Sequence, residues 1–281
     1  MKMKSRRGDV KVAVGPVRFA NGAPLVLMAG PCVIEDAAFT VRLAKKLAAL
    51  ARAKRIPFVF KASYDKANRS SIKSYRGPGL RQGLEILRRV KDEVGCPILT
   101  DVHWKEDVRE VARVADILQI PAFLSRQTDL LLACAMTGRI VNVKKGQFLS
   151  PWDMEHAVRK LESTGNRNIL LTERGVSFGY NNLVVDMRSL AVMKAWGYPV
   201  IYDATHSVQL PGAQNGASGG QKEFIVPLAR AAVALGVAGL FCEVHPDPEK
   251  ALSDGPNSLP LGELPAFLKT MQTLDKVAKL L

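Results

Sequence analysis

From end to end the chain alternates short apolar runs with longer stretches whose apolar residues recur at three- and four-residue spacing, the pattern of β-strands separated by amphipathic helices. Eight runs have strand length: Leu25–Ala29, Phe58–Ser63, Ile98–Val102, Ile117–Ala122, Ile140–Lys144, Ile169–Arg174, Val200–His206 and Gly239–His245. Segments such as Ala37–Lys54, Leu80–Val94 and Leu264–Leu281 carry the helical period. The intervals suit parallel crossovers, and eight is the strand number that closes a parallel barrel. The pattern therefore predicts an α/β fold, a (β/α)8 TIM barrel, with residues 1–281 as a single domain. Ahead of it, Val10 to Phe19 and the run from Pro24 flank the turn dipeptide Asn21-Gly22, so residues 1–23 are expected to form a tail and a β-hairpin.

Strands of a parallel barrel are buried on both faces, so polar residues within them need a reason. Here they gather at the C-terminal ends: Lys61 and Ser63, Asp101, Gln119, Lys144, Arg174, His206, and Glu243 with His245, while Cys32 follows the first strand after Gly30-Pro31. Barrel enzymes build their sites on that face from several strands. One or two such residues could cap helices; the whole set is not explained that way. Three connections on the same face, Tyr64–Gly77, Ser207–Gly220 and Pro246–Pro260, have the length and Gly/Pro content of substrate-binding loops.

Charge narrows the class of partner. Lys and Arg number 40 against 26 Asp and Glu, a net +14 that attracts anions. Aromatics are 6% and mostly lie within apolar runs, which favours a small phosphorylated substrate over a basic nucleic-acid-binding module. No apolar run approaches the ~20 residues of a membrane span. The basic start Met1-Lys-Met-Lys-Ser-Arg-Arg7 leads into no apolar segment, so a cytoplasmic enzyme without a signal peptide is expected, partnered by neither membrane nor nucleic acid. Cysteines at 32, 96, 134 and 242 lack framework spacing and are read as reduced.

Two sets of side chains carry candidate chemistry. Lys61, Lys66, Arg69, Arg126, Lys144 and Arg174 supply the cations that phosphates and a carboxylate require. Cys32, His206, Glu243 and Asp254 combine thiolate, imidazole and carboxylates, donors suited to a divalent transition metal such as zinc or iron. Each of the four also has a structural explanation alone, and the spacing is not that of a standard zinc motif. Cys96, Cys134 and Cys242 read as packing residues. Lys144 inside a barrel keeps a Schiff-base aldolase open.

Six segments then carry a resemblance. Ala29-Gly-Pro-Cys-Val-Ile-Glu35, Phe60-Lys-Ala-Ser-Tyr-Asp-Lys-Ala-Asn-Arg-Ser-Ser71, Leu118-Gln-Ile-Pro-Ala-Phe-Leu-Ser-Arg-Gln-Thr128, Val141-Asn-Val-Lys-Lys-Gly-Gln-Phe148, Glu173-Arg-Gly175 and Tyr202-Asp-Ala-Thr-His-Ser-Val-Gln209 resemble those of 3-deoxy-D-manno-octulosonate 8-phosphate synthases (KDO8P synthases), in order, between about Ala29 and Leu261. The resemblance implies condensation of phosphoenolpyruvate with arabinose 5-phosphate for lipopolysaccharide biosynthesis. It places Lys61, Gln119, Lys144, Arg174 and His206 around phosphoenolpyruvate, with Ser63 also among the substrate-binding residues, and Lys66, Asn68, Arg69 and Ser70 on the aldose phosphate. Asp101 would lie near the aldehyde, and Arg126 would reach a neighbouring subunit's sugar phosphate in a homotetramer. Cys32, Asp101, Lys144, His206 and Asp254 form the implied catalytic set. Cys32 resembles the metal-dependent branch of the family (zinc, iron or manganese), as does Ser253, whereas Asp254-Gly-Pro256 is similar to the metal-free branch. The nearest rival is a 3-deoxy-D-arabino-heptulosonate 7-phosphate synthase acting on erythrose 4-phosphate; Asn68 argues against it by offering an amide to an additional sugar hydroxyl.

Overall fold

The computed structural model describes residues 8–214 and 217–280, with side chains described except at 213, 214, 217 and 218. The basic start Met1 to Arg7 and part of the 207–220 loop therefore lie outside the described residues.

In chain order the strands are β1 (Val12–Val14), β2 (Val17–Phe19), β3 (Val26–Gly30), β4 (Phe58–Lys61), β5 (Ile98–Asp101), β6 (Ile117–Ile120), β7 (Ile140–Lys144), β8 (Ile169–Glu173), β9 (Val176–Ser177), β10 (Leu183–Val184), β11 (Val200–Asp203), β12 (Gln209–Gln214), β13 (Ala217–Gly220), β14 (Gly239–His245) and β15 (Leu259–Pro260). Eight of them, β3 to β8 with β11 and β14, pair in parallel with their sequence neighbours, and β14 closes on β3 in a register running from Gly239↔Val26 to Glu243↔Gly30. The closed eight-stranded parallel barrel is the expected TIM barrel. Its strands are followed by α1 (Ala37–Lys54), α2 (Leu80–Val94), α3 (Val108–Ala112), α4 (Thr128–Met136), α5 (Met154–Glu162), α6 (Arg188–Lys194), α7 (Ile225–Ala234) and α8 (Leu264–Leu280).

Local sequence explains the helix bounds. Asp36 caps α1 by accepting the Phe39 amide at 2.8 Å, and the helix ends at Arg55 in the left-handed region (φ 54°). Val41, Ala44, Leu47 and Ala51 form its buried stripe.

Two cores follow from the two-residue period of the strands. Outward residues such as Leu27, Phe60, Leu118, Val141, Leu171 and Tyr202 pack with the helices. Inward residues Val26, Met28, Val59, Leu99, Ile117, Ile140, Leu170, Ile201 and Phe241 pack with Val12, Val17 and Phe19 of the N-terminal hairpin, which plugs the barrel floor.

The hairpin exists, but its turn is not Asn21-Gly22. Val14 pairs with Val17 across the two-residue loop Gly15-Pro16, where Gly15 takes φ +52°, as the first position of such a loop demands. Asn21 is buried: its Nδ2 donates to the Tyr198 carbonyl and its Oδ1 accepts the Val200 amide, both at 2.9 Å. Several strands also end earlier than their apolar runs. The ladder of β11 stops at Asp203 because that carboxylate accepts the amides of Thr205 (3.2 Å) and His206 (2.9 Å), turning the chain out of extended conformation.

Candidate active site

Two residues beyond the apolar inward layer, on the same strands, the inward positions become polar: Lys61, Asp101, Gln119, Asn142 with Lys144, Thr172, Asp203 and Glu243, all buried. A cavity of about 810 Å³ opens above them, walled by Lys66, Asn68, Arg69, Ser70, Asp101, His103, Lys144, Arg174, His206, Gln209, Ser253 and Asp254 among others. Its rim comes from the connections after β4, β11 and β14, the three long loops of the sequence.

One wall joins the first strand to the last. A Cβ at Gly30 would stand 1.8 Å from the Lys61 carbonyl oxygen, so only glycine lets the end of β3 approach β4 this closely. That approach brings Cys32 in beside Lys61, whose ammonium donates to the Cys32 carbonyl and to Glu243 Oε1, both at 2.8 Å. Cys32, Glu243 and Asp254 each present one ligand atom, and those three atoms lie within 4.8 Å of one another. Asp254 holds a left-handed backbone (φ 50°), tolerable for aspartate, and its carboxylate meets the Cys32 thiol at 3.1 Å and Arg69 at 3.5 Å. Ser253 Oγ is 2.6 Å from the same sulfur.

These donors fit a divalent transition metal. Burial, reinforced by Asp254 and Glu243, pushes the Cys32 thiol well up, a penalty that a cation at that point reverses. Glu243 Oε2 is buried with no hydrogen-bond partner among the described residues. His206 approaches through Glu243, with Nε2 at 3.4 Å from Oε1, and stands outside the three-atom cluster. The structure thus gathers three of the four expected ligands and sets the fourth beside one of them.

Opposite lies a cationic wall. Asp203 Oδ2 is 2.8 Å from both Lys144 Nζ and His206 Nδ1, and Lys144 Nζ sits 3.8 Å from the centroid of the Phe241 ring. Burial pushes the His206 imidazole down against the pull of Asp203 and Glu243, and pushes Lys144 down against Asp203. His206 Nδ1 thus lies between Asp203 Oδ2 and Lys144 Nζ, which is 3.4 Å away, while its Nε2 is turned toward Glu243. Burial opposes the charge on Glu243, yet His206, Lys61, Lys66 and Lys144 hold its carboxyl well below the usual range. Lys66 is likewise opposed by burial, but Cys32, Glu243, Asp101 and Asp254 keep it firmly charged. Arg174 donates to the His206 carbonyl (3.1 Å) and to Gln209 (2.9 Å). Among the described residues, buried donors remain unpaired on the two arginines: Nε and one terminal nitrogen of Arg69, and Nε of Arg174. Unpaired buried guanidinium donors around a polar cavity are what an oxyanion completes.

Asp101 accepts from Ser63 and Gln119 at the base of the cavity. Burial opposes its charge, but Lys61, Lys66, His103 and Lys144 hold the carboxyl below the carboxylate range.

Most of the residues singled out in the sequence meet here. Lys66, Asn68, Arg69, Ser70, Asp101, Lys144, Arg174, His206 and Asp254 line the cavity, while Lys61, Ser63, Gln119, Cys32 and Glu243 are tied to the lining residues by the contacts above. Arg126 is elsewhere: exposed, beside a separate 410 Å³ depression with His156 and Lys160. Sequence reasoning missed Asp203, Asn142, Thr172, His103 and Gln209. The first three each lie two residues past an inward apolar position of their strand, a relation that shows only once barrel closure has fixed which face is inward.

The chain is 59% identical over 269 residues to the 2-dehydro-3-deoxyphosphooctonate aldolase of Geotalea daltonii, covering 96% of this chain and 99% of that protein. It is 61% identical over the same length and coverage to the protein of that name from Pelobacter propionicus, and 58% to that of Geobacter metallireducens. The sequence profile described as the DAHP synthetase I family matches residues 8–280, and the chain belongs to that family.

Proposed function

We propose that this barrel condenses phosphoenolpyruvate with arabinose 5-phosphate and water, giving 3-deoxy-D-manno-octulosonate 8-phosphate and phosphate for lipopolysaccharide biosynthesis. The observation that carries this reading is the cavity in which unpaired Arg69 and Arg174 donors, Lys66 and Lys144 face the Cys32–Glu243–Asp254 cluster. The near-full-length relatives named 2-dehydro-3-deoxyphosphooctonate aldolase support it.

Lys61, Lys144 and Arg174, with Gln119, take the phosphoenolpyruvate end, and Lys66, Asn68, Arg69 and Ser70 take the aldose phosphate. Fixed cations and a shared cavity hold the two substrates in reacting order and remove association entropy. C3 of phosphoenolpyruvate attacks the aldehyde carbon as water adds at C2, and the resulting hemiketal expels phosphate. Asp101, kept ionised, accepts from the aldose hydroxyls next to the aldehyde. His206, neutral and oriented by Asp203, can take a proton at Nε2. Cys32, Glu243 and Asp254, with His206 adjacent, would hold a divalent metal, zinc, iron or manganese, that supplies Lewis-acid polarisation of an oxygen. Arg126, remote from its own cavity, serves a neighbouring one in a homotetramer of single-domain, cytoplasmic subunits.

Phosphate release from phosphoenolpyruvate, measured with arabinose, ribose and erythrose phosphates side by side, tests this reading. Arabinose 5-phosphate is expected to be clearly preferred. A preference for erythrose 4-phosphate would replace it with the heptulosonate synthase, and sedimentation at other than the tetramer mass would remove the role given to Arg126.

A further inference from the structure

Behind the cavity floor a hydrogen-bonded chain crosses four barrel strands without touching the cavity at its far end. Thr172 Oγ1 on β8 donates to Asn142 Oδ1 on β7 at 2.6 Å; Asn142 Nδ2 donates to Gln119 Oε1 on β6 at 2.9 Å; Gln119 Nε2 donates to Asp101 Oδ1 on β5. Thr172 and Asn142 are fully buried. Neither lines the cavity, and among the described residues no charged side chain bonds to either side chain.

The direction of this chain is set by chemistry. An ionised carboxylate only accepts, so the Gln119 atom facing Asp101 must be the amide nitrogen. Gln119 then offers its oxygen to Asn142, which must donate, and Asn142 offers its own oxygen to the Thr172 hydroxyl. Reversing any member would leave two acceptors face to face in a buried site, an arrangement costlier than a missing bond in water.

We propose that Asn142, backed by Thr172, is a positioning residue that anchors the Gln119 amide from the side away from Asp101 and so holds the Gln119 nitrogen on Asp101 and the carboxylate in place facing the cavity. The proposal deepens the functional reading above and rests on its placement of Asp101 beside the aldose. Asp101 is otherwise faced by Lys61 and Ser63 from β4 and its end, Lys66 from the loop beyond, His103 after β5 and Lys144 from β7. Those cations favour its charge, but none of them orients Gln119.

The test compares variants at the hidden positions in the phosphate-release assay and in thermal unfolding between pH 5.5 and 8. Asn142→Leu leaves the buried Gln119 oxygen unpaired and the amide held from the Asp101 side alone, and kcat/KM for the aldose phosphate is expected to fall roughly 10- to 100-fold. Thr172→Val should fall in the same direction by less, and Thr172→Ser, which keeps the hydroxyl, should recover wild-type behaviour.

Asn142→Asp gives the sharper readout. A protonated carboxyl reproduces the asparagine pattern, one donor and one acceptor, whereas an ionised one cannot donate to Gln119. Its activity relative to wild type should therefore rise as pH falls, with no such rise for Asn142→Leu. The introduced carboxyl has a folded pKa above its unfolded value, so its deficit in melting temperature should grow as pH rises past the unfolded carboxylate range and shrink as pH falls. The proposal is overturned by Asn142→Leu within twofold of wild type, by relative activity of Asn142→Asp that falls with falling pH, or by a melting deficit independent of pH. A wild type without phosphate release would instead refute the functional reading, and the melting series would still report on the chain of bonds.

Discussion

At the floor of the barrel the inward residues are Val26, Val59, Leu99, Ile117, Ile140, Leu170 and Ile201, sealed by Val12, Val17 and Phe19 of the hairpin. Two residues further along six of these strands, toward the mouth, the inward residues are Lys61, Asp101, Gln119, Asn142, Thr172 and Asp203, while β3 stays apolar at Met28. The strands and their twist are shared, so the difference lies wholly in side-chain chemistry. Apolar burial at the floor stabilises the fold at about 25 cal/mol per Å². The mouth works against this, because buried ion pairs such as Lys61–Glu243 cost desolvation that their attraction offsets only in part. One end of the barrel therefore stabilises a site that the other end could not support alone, and the comparison predicts that substitutions at the two ends separate activity from stability.

The largest effect should come at the mouth, from Cys32. Cys32→Ala removes one of three converging candidate ligands and leaves only Glu243 and Asp254 of the cluster to hold a cation. Loss of bound metal by elemental analysis and a roughly thousandfold loss of turnover are expected, with the melting temperature of the metal-free proteins little changed. Cys32→Asn keeps a hydrogen-bonding group at the same place and should retain some activity that a chelator does not touch. Wild type should be inactivated by the chelator and rescued by an added divalent transition metal. Full turnover by wild-type protein verified as metal-free would break the mouth half of the comparison and leave the cluster to substrate binding.

At the floor the expected outcome is reversed. Phe19 is fully buried between the hairpin and the barrel interior. Phe19→Ala should cost about 3–5 kcal/mol in denaturant unfolding, through lost transfer free energy and the cavity left behind. The kcat/KM of the folded fraction should stay near wild type, since the polar layer lies between Phe19 and the cavity. A large drop in kcat/KM at unchanged stability would show that floor and mouth are not separable.

The strand count and the polar strand ends were legible because apolar runs and their breaks are local. What escaped was orientation. A strand buried on both faces shows no apolar–polar alternation to say which residues point inward, so Lys144 stood out only as the end of its apolar run and not as an inward residue, unlike its neighbour Lys145. Barrel closure separates them: Lys144 faces the cavity, whereas Lys145 lies outside it, 3.4 Å from Glu173. The same blindness hid Asp203, which sits inside the run read as Val200–His206, and with it the carboxylate that orients His206. The convergence of Cys32 with Asp254 depends on the closure of β14 against β3, a contact between the two ends of the chain that no local pattern encodes.

Asn21 gives the smallest effect and the most direct test of how local pattern and tertiary demand compete at the floor. As half of an Asn-Gly turn, residue 21 would need only to tolerate a turn conformation, and aspartate or glycine would serve nearly as well. In the fold its amide instead joins the segment after the hairpin to β11, donating to the Tyr198 carbonyl and accepting from the Val200 amide. Both halves of the amide are used, so substitutions can be ranked by which half they keep. Asn21→Asp preserves the acceptor for Val200 but turns a second acceptor toward the Tyr198 carbonyl, and should cost about 1–3 kcal/mol in denaturant unfolding. Asn21→Gly loses both bonds and should cost at least as much, although glycine is the better turn residue. Activity of the folded protein should be unchanged in both, as at Phe19. If Asn21→Gly proved neutral or stabilising, residue 21 would be acting as a turn former after all, and the seal between the hairpin and the barrel would rest on Phe19 and its apolar neighbours alone.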